Sequence, residues 1–432
     1  MSRVLHNRTS RSGGVLGGFL VAALLLLPGC APAPQSTPTP TAAPETPAPE
    51  PYAGPLAFVG DELELFALTP DEVAGLLPDS PSAGPVTDAL LQYSDGGGAE
   101  FVPAVCGLLM TETSMRSIGA RTVLWGEEAE GAHDSGGQYI LQFASEEIAA
   151  ARMDQLASTV EQCATFEADG PGSFEGFAAP EVDGVRAFAG TFSADFAGNP
   201  WSAHHAFAAV GNVIVHLTQS SREESAFDAE AVALLLRDRA VEARATLIDE
   251  LTANPPEVPA SPEPGAADAP WGEWDMSSTG TGPLLLGSDR DTALAAVPGA
   301  TVAEFDWADN PVRLVSPDGT ASLVLWFTED GSTLDAITAG IANLDGDTDA
   351  DGAVLPSTGG VRIGAAISDA VAAFPEGTFL TVVASGEFFY EWSTREGGTI
   401  RFRADRDASD PDAVITGVTI EDATLLPPLS IS

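Results

Sequence analysis

One group of possible metal ligands in this sequence is a run of aspartates. They stand at alternate positions, and a glycine follows the last of them: Asp345, Asp347, Asp349, Asp351 and Gly352. Oxygen ligands in this pattern ahead of a glycine turn are typical of the first half of a calcium-binding loop. Counted from Asp347, however, the twelfth position is Thr358, where such loops carry a bidentate Glu, and Asp345 lies close enough to substitute as a ligand. Two hypotheses follow: a weak Ca²⁺ site, which would hold the only cofactor, and a solvated acidic connector.

Two histidines form a second group of possible ligands. Segments 202–210 and 213–219 alternate as strands do, and the Gly-Asn pair between them predicts a two-residue hairpin turn. In that register His205 lies diagonal to His216 on one face of the hairpin. Such a pair could bind a ligand, a metal ion or a proton. The alternative is that both histidines are ordinary residues of a half-exposed sheet face.

The motifs of common enzymes are missing. The sequence contains neither G-x-S-x-G nor H-E-x-x-H, and it has no lysine for Ser-Lys chemistry or a Schiff base. The formal net charge of −45 excludes sequence-independent binding to nucleic acid, which requires Lys and Arg to neutralise phosphates. We therefore expect a protein that is not an enzyme and has no nucleic-acid partner.

The first thirty residues have the order of an export signal. Three arginines precede an apolar segment, residues 15–27, which is too short to span a bilayer as a stable anchor. Pro28, Gly29 and Cys30 end it. A Pro-, Ala- and Thr-rich stretch without periodic apolar residues then runs to residue 54.

This order resembles the signal peptide and lipobox of bacterial lipoproteins. The resemblance implies a signal peptide at 1–29, palmitate-type lipidation of Cys30, and a disordered tether at 30–54. It also implies attachment to the extracytoplasmic face of the cell membrane through the lipid. Pro28 departs from the pattern, since small or β-branched residues are usual there. The alternative is an ordinary cleaved secretory signal in which the cysteine has no role.

If Cys30 carries a lipid, Cys106 and Cys163 are the cysteines that remain. An even pair in an exported protein predicts a disulfide between them. The sequence has no Cys-x-x-Cys, so it supports neither a redox motif nor a zinc site.

Residues 55–252 contain helix and strand signals in a mixed order. Thr69 and Glu72 are spaced as a capping box for a short helix. A second helix is expected after Ser145, with an apolar stripe that ends at Cys163, and a long helix with a similar stripe closes the segment.

This order resembles the PknH-like extracellular sensor domain of some mycobacterial kinases and related lipoproteins. The matching segments are LTPDEVAGLL, SEEIAAARMDQLASTVEQC, AFAAVGNVIVHLT and AVALLLRDRAV. The resemblance implies an α+β fold, an antiparallel sheet with flanking helices, and a cleft for an unidentified ligand. The second disulfide that is common in this family is absent here, and so is a kinase domain.

A Pro- and Ala-rich linker at 253–270 precedes a region in which the sequence repeats itself. The two copies align without a gap at a constant shift of 77 residues. The shift matches Gly287 with Gly364 and Gly340 with Gly417. Because the same shift holds across two separate blocks, it is a strong sign of an internal repeat.

We predict a second α+β domain at 271–427, with units at about 281–342 and 358–419. Each unit is expected to contain a short strand, a helix and antiparallel strands. Because the core of one unit is small, the two should share a sheet. The arrangement resembles the tandem repeats of β-lactamase inhibitor proteins in shape alone, since no inhibitory motif matches. The resemblance implies a sheet whose exposed face binds a partner protein.

Two functional hypotheses follow. The first is a lipid-anchored, outward-facing binding or sensor lipoprotein of an actinobacterial envelope, with a small ligand in its first domain and an envelope protein on its second. The second is a protein–protein inhibitor or scaffold that acts through the repeat domain. An enzyme with an unfamiliar site is the third and least favoured class.

Overall fold

Two large sheets organise the part of the chain that the computed structural model describes. The described residues are 50–78, 80, 82–93, 100–110, 113–126, 135–221, 227–256, 263–305, 308–344 and 351–427. All of them belong to the compact unit that begins at Pro49. The signal segment, Cys30 and most of the tether lie outside the described residues. Within those ranges, no helix is both long and apolar enough to cross a membrane.

The first region has one sheet, two short 3₁₀ helices and three α-helices. Its elements are Gly60–Phe66 (3₁₀), α1 (Pro70–Leu76), β1 (Ala83–Thr87), β2 (Ala89–Gln92), Ala104–Leu109 (3₁₀), β3 (Gly119–Trp125), β4 (Gly136–Gln142), α2 (Glu146–Gln162), β5 (Phe166–Glu167), β6 (Pro171–Ala178), β7 (Arg186–Phe196), β8 (Asn199–Val210), β9 (Val213–Ser221) and α3 (Ala229–Ala253). Eight of these strands form an antiparallel sheet in the order β1-β3-β4-β9-β8-β7-β6-β5. The predicted hairpin is confirmed, since Val210 pairs with Val213.

Helices cover both faces of this eight-stranded sheet. On α3, Val232, Leu236 and Leu247 recur at helical spacing, and all three are buried against one face. On α2, Met153 and Leu156 are buried against the other. Each large apolar side chain buried in this way stabilises the fold by roughly 1.5–3 kcal/mol. The sheet is therefore apolar on both sides, and its strands are not amphipathic.

Local signals fixed the starts of the first two helices. The Thr69 hydroxyl accepts a hydrogen bond from the backbone N–H of Glu72, and the Glu72 carboxylate accepts one from the backbone N–H of Thr69. The Ser145 hydroxyl accepts a hydrogen bond from the backbone N–H of Ile148 at the start of α2. These caps satisfy amide groups that would otherwise lack partners in the first turn.

The second region has a large sheet, a small one and two short helices. Its elements are Trp271–Glu273 (3₁₀), β10 (Met276–Ser277), β11 (Gly280–Thr281), β12 (Leu284–Leu285), α4 (Arg290–Ala295), β13 (Thr301–Phe305), β14 (Ala308–Val315), β15 (Ser322–Phe327), β16 (Leu334–Gly340), α5 (Ile367–Ala373), β17 (Thr378–Val382), β18 (Glu387–Ser393), β19 (Gly398–Ala404), β20 (Ile415–Asp422) and Ala423–Leu425 (3₁₀). The nine-stranded sheet has the order β13-β14-β15-β16-β20-β19-β18-β17-β2, and β10, β11 and β12 form the small sheet.

The internal repeat is visible in the nine-stranded sheet. A shift of 77 residues carries β13 onto β17 with the same bounds. The two sets of four strands meet where β16 pairs with β20, and Gly340 and Gly417, which occupy equivalent positions, are partners there. A residue that pairs with its own equivalent marks a local two-fold axis between the two sets. Both sets therefore contribute to one apolar core, which includes Ile337 and Ile420.

The first region also contributes a strand to the nine-stranded sheet. Only Asp88 separates β1 from β2, yet β1 pairs with β3 and β2 pairs in parallel with β17. Buried Arg121 of β3 donates hydrogen bonds to Asp61 and to the backbone carbonyl groups of Glu376 and Gly377. The sequence predicts two modules joined by a linker, whereas the structure places them in one packed unit. The sequence carries no local signal for this pairing, because β2 is only four residues long.

Candidate functional site

Most residues of the predicted calcium loop cannot be placed. Asp345, Asp347 and Asp349 lie outside the described residues, as does Cys30. Asp351 is described, and its carboxylate accepts a hydrogen bond from the backbone N–H of Ala353. Among the residues that are described, no group of three or more His, Cys, Asp or Glu side chains could hold a metal ion. The calcium site therefore stays a prediction.

Cys106 and Cys163 are joined by a disulfide, as the cysteine count predicts. Both are fully buried in the core beneath α2. Cys163 is the C-terminal cap of α2, and Cys106 lies in the 3₁₀ helix at Ala104–Leu109. The bond thus ties the end of α2 to a short element whose Leu108 and Leu109 also belong to the core beneath that helix.

The structure brings His205 and His216 together. Nδ1 of His205 lies 3.2 Å from Nε2 of His216, and the two rings are stacked with Phe207. Burial lowers the pKa of His205 to about 4, and the neighbouring imidazole of His204 adds to the effect. Burial also lowers the pKa of His216, followed by the charges of His205 and Arg152. The pair is therefore neutral at ordinary pH, and its role in ligand binding stays a prediction.

An open groove of about 320 Å³ lies on the face of the nine-stranded sheet that is turned away from its core. Its floor consists of alternate residues of β16, β18, β19 and β20. On β19, Arg401 and Arg403 line the groove, while Phe402 between them enters the core. This alternation follows from the two-residue period of a strand. Trp326 and Phe327 of β15, Ile341 and Ala342 after β16, and Leu426 also line the groove.

Both arginines of the groove are held by acidic partners. Arg401 donates hydrogen bonds of 2.7 and 3.2 Å to Oε1 of Glu391, and its guanidinium lies over the ring of Phe389. Nη2 of Arg403 lies 3.1 Å from Oε1 of Glu387. The negative charge of Glu391 is the main cause that raises the pKa of Arg401. Charge-assisted pairs of this kind fix the orientation of both guanidinium groups.

Two carboxylates of the same groove form no ion pair with a described residue: Asp335 and Glu421. Asp335 is only 5% exposed, and its Oδ1 has no hydrogen-bond partner in the part of the chain that the structure describes. Burial is the main cause that raises the pKa of Asp335; hydrogen bonding to the backbone N–H groups of Asp335 and Ala336 opposes it, and the charge of Asp422 adds to it. Burial likewise raises the pKa of Glu421, with Glu391 and Asp335 adding to the effect against the opposing charge of Arg401.

A β-bulge directs Asp335 into the groove. Trp326 pairs with Ala336 and Phe327 pairs with Leu334, so Asp335 is an extra residue between them. Beside it, Nε1 of Trp326 donates a hydrogen bond of 3.0 Å to the hydroxyl of Thr338. The hydroxyl groups of Thr338 and Thr419 lie 2.9 Å apart across two strands. These contacts fix the side chains of Trp326, Thr338 and Thr419 beside the two carboxylates that line the groove.

The groove was not predicted residue by residue, because its side chains come from separate strands. The sequence indicates a sheet with a face for a partner, and the repeat matches Asp335 with Asp412. Neither signal shows that Asp335 lies in a bulge, or that Glu421 is its neighbour in space. A buried acid within a strand that is otherwise apolar, as in LDAITAG, is the signal that was available.

Comparisons with known proteins give limited information. No protein-family model matches the chain, and no curated protein matches it. Among solved structures, the chain is similar to the extracellular domain of PknH from Mycobacterium tuberculosis at 13% sequence identity and a TM-score of 0.30. The similarity covers 46% of this chain and 100% of that domain.

Proposed function

We propose that this chain is an extracytoplasmic binding protein, anchored by a lipid on Cys30, whose groove binds a cationic group such as an amine or a guanidinium. The observation that carries the proposal is the buried carboxylate of Asp335 in the groove, whose Oδ1 has no hydrogen-bond partner among the described residues. A mixed α+β fold with large antiparallel sheets and few helices supports a binding role. We further propose that the first region is a sensor-like domain and the second a tandem-repeat domain.

The charges of the groove select the kind of ligand. Four carboxylates, Asp335, Glu387, Glu391 and Glu421, lie in or beside it with two guanidinium groups. Among the described residues, Asp335 and Glu421 are therefore left without an ion pair, although the charges of Arg401 and Arg116 act on Glu421. A cation that entered would restore the charge balance and would lower the raised pKa values of the two unpaired acids. The ring of Trp326 lines the same groove and can stack on a cation.

The ligand class can be tested by calorimetry on the full chain. Cadaverine and agmatine are the probes, and 1,5-pentanediol is the uncharged counterpart of cadaverine. We expect the cations to bind at least tenfold more tightly than the diol. Asp335→Asn and Glu421→Gln should each weaken binding of the cations by about tenfold, the usual effect of a lost charge-assisted hydrogen bond.

Asp318→Asn is the matched control, because Asp318 is an exposed carboxylate in the turn after β14 whose hydrogen bonds come from Ser316 and Thr320. It should leave binding unchanged. Equal affinity for cadaverine and pentanediol would contradict the proposal, and so would wild-type affinity in both groove variants.

The lipid anchor has a separate test. We expect the full chain to incorporate radiolabelled palmitate and to sediment with membranes, and Cys30→Ser to do neither. Cys106→Ser is the control, because the lipid should not depend on that cysteine. Release of the wild-type chain into the medium without label would remove the anchor while leaving the groove proposal intact.

A protein partner is the second candidate, and one observation favours it. Part of the same sheet face is already covered by protein, since the Thr378 hydroxyl bonds to backbone groups of Ala120 and the Ser393 hydroxyl to Gln142. The uncovered part could bind a basic segment of another protein as an inhibitor or scaffold does. A tetra-arginine peptide should then bind more than tenfold tighter than agmatine, whereas a small-molecule site would bind both about equally.

A further inference from the structure

A second unbalanced charge lies in the first region, and it has the opposite sign. Arg152 is on the buried face of α2 and is only 5% exposed. Its Nη1 donates a long hydrogen bond of 3.4 Å to Oε1 of Gln155. Its Nε and Nη2 have no hydrogen-bond partner among the described residues. The pKa of Arg152 is lowered by burial, but a guanidinium does not lose its proton in a protein.

Among the residues that the structure describes, no acidic side chain compensates the charge of Arg152. It forms no ion pair within the described ranges, although other arginines there, such as Arg121 and Arg239, do. Its charge reaches the neutral imidazole of His216 and lowers the pKa of that residue. An isolated buried cation is strongly unfavourable, because it loses its hydration without gaining a counter-charge. A counter-charge for Arg152 would therefore have to come from outside the described side chains.

A cavity beside Arg152 is large enough to hold a small ion or a water molecule. Its volume is about 20 Å³, and its walls are mostly apolar, with Met115, Phe143, Ile148 and Leu426 among them. A cavity of about 10–15 Å³ on the same measure holds one water molecule. The guanidinium of Arg116 also lines the cavity and donates a hydrogen bond to the backbone carbonyl of Pro427. Because the charge of Arg116 also acts on the carboxylate of Glu421, a single small anion would balance the charge that remains on Arg152.

We propose that this cavity binds a small monovalent anion, chloride for example, on the guanidinium of Arg152. The apolar walls favour an ion that is weakly hydrated over phosphate or sulfate, whose hydration is costlier to remove. Leu426 lines both this cavity and the groove of the nine-stranded sheet. The anion would thus hold in place a residue that also forms part of the groove.

The experiment is thermal unfolding of the full chain in sodium chloride and in sodium gluconate at equal ionic strength. Equal ionic strength is essential, because any salt screens the repulsion within a chain of formal charge −45. We expect chloride to raise the Tm of the wild type by about 2 °C relative to gluconate. Arg152→Met, which keeps the length of the side chain without its charge, should abolish that difference.

Arg186→Met is the matched control. Arg186 also contacts α2, by hydrogen bonds to Asp154 and to the carbonyl of Ala150, but on the outer side of the helix. This variant should keep the wild-type response to chloride. Because Arg152→Met could fail to fold, ³⁵Cl NMR on the wild type provides a second measurement. Line broadening that bromide reverses and gluconate does not would support the site.

The proposal is overturned if the wild type has the same Tm in both salts and does not broaden the ³⁵Cl signal, since water alone would then satisfy Arg152. It is also overturned if Arg152→Met folds and keeps the chloride response.

Discussion

The two large sheets differ in the charge state of the polar groups of their candidate sites. In the eight-stranded sheet, helices cover both faces, and His205 and His216 are packed among aromatic rings as neutral groups. In the nine-stranded sheet, one face is apolar while the other carries paired and unpaired charges around an open groove. The first arrangement supports a rigid scaffold, and the second leaves unpaired charge where a ligand can reach it. For these groups, the difference is between histidines that burial keeps neutral and carboxylates that line an open groove.

The largest expected effect tests whether the first sheet is the scaffold. The disulfide joins residues 57 positions apart, and a loop of that length stabilises the fold by about 4 kcal/mol in the chain-entropy model. Replacing Cys106 and Cys163 with serine together should lower the free energy of unfolding by about that amount, measured in urea. Cation binding by the groove should persist in the folded fraction. A loss below about 1 kcal/mol would show that the helices alone hold this region together.

The second effect concerns acid and the buried histidines. An unfolded histidine takes up a proton near pH 6.5, but folded His205 does so only at about pH 4. The unfolded state therefore binds more protons between these values, and stability is lost as the pH falls through this window. Between pH 7 and pH 4, the wild type should lose about 3 kcal/mol more than His205→Phe. Equal losses in both proteins would show that His205 is protonated without cost.

The third effect has the opposite sign and belongs to the groove. The pKa of folded Asp335 is raised above that of the unfolded chain, so the folded state binds more protons just above the unfolded pKa. The contribution of Asp335 to stability should thus increase as the pH falls through its folded pKa. Asp335→Asn should stabilise the protein at pH 7 by about 1 kcal/mol, because it removes a buried, unpaired charge. It should also weaken cation binding.

Asp318→Asn is the control for the sign of this effect. Hydrogen bonds from Ser316 and Thr320 hold the pKa of Asp318 at about 2, so this carboxylate stabilises the folded state as an anion. Its replacement should lower stability at pH 7, measured in the same urea experiment. If Asp335→Asn also lowered stability, the carboxylate of Asp335 would have a partner within the protein.

The smallest effect compares the two repeat units. Asp289 caps α4 by accepting a hydrogen bond from the backbone N–H of Thr292, whereas Ala366, its equivalent, gives α5 no side-chain cap. Ala366→Asp should therefore raise the free energy of unfolding by about 0.5–1 kcal/mol, in urea unfolding. Ala366→Leu, which cannot cap, is the control and should give no gain. A gain of the same size with leucine would assign the effect to apolar contact.

Local features of this molecule could be predicted from the sequence, and contacts between distant segments could not. The capping box at Thr69, the hairpin register and the disulfide follow from residues close in sequence or from counting. The pairing of β2 with β17 does not, since four residues carry no information about a partner strand. The burial of Arg152 is indicated by its position in the sequence, since it lies next to Met153 and four positions before Leu156, within the apolar stripe of α2.

The strand β2 has a consequence for how copies of this protein behave towards each other. It covers the outer edge of β17, whose unpaired backbone groups would otherwise be open to a strand from another molecule. Because Ala89 and Phe379 come from opposite ends of the described chain, this edge is completed only after most of the protein has been synthesised. Until then β17 is an exposed edge strand. We expect fibril-like association to begin at this strand when the β1–β2 segment is deleted.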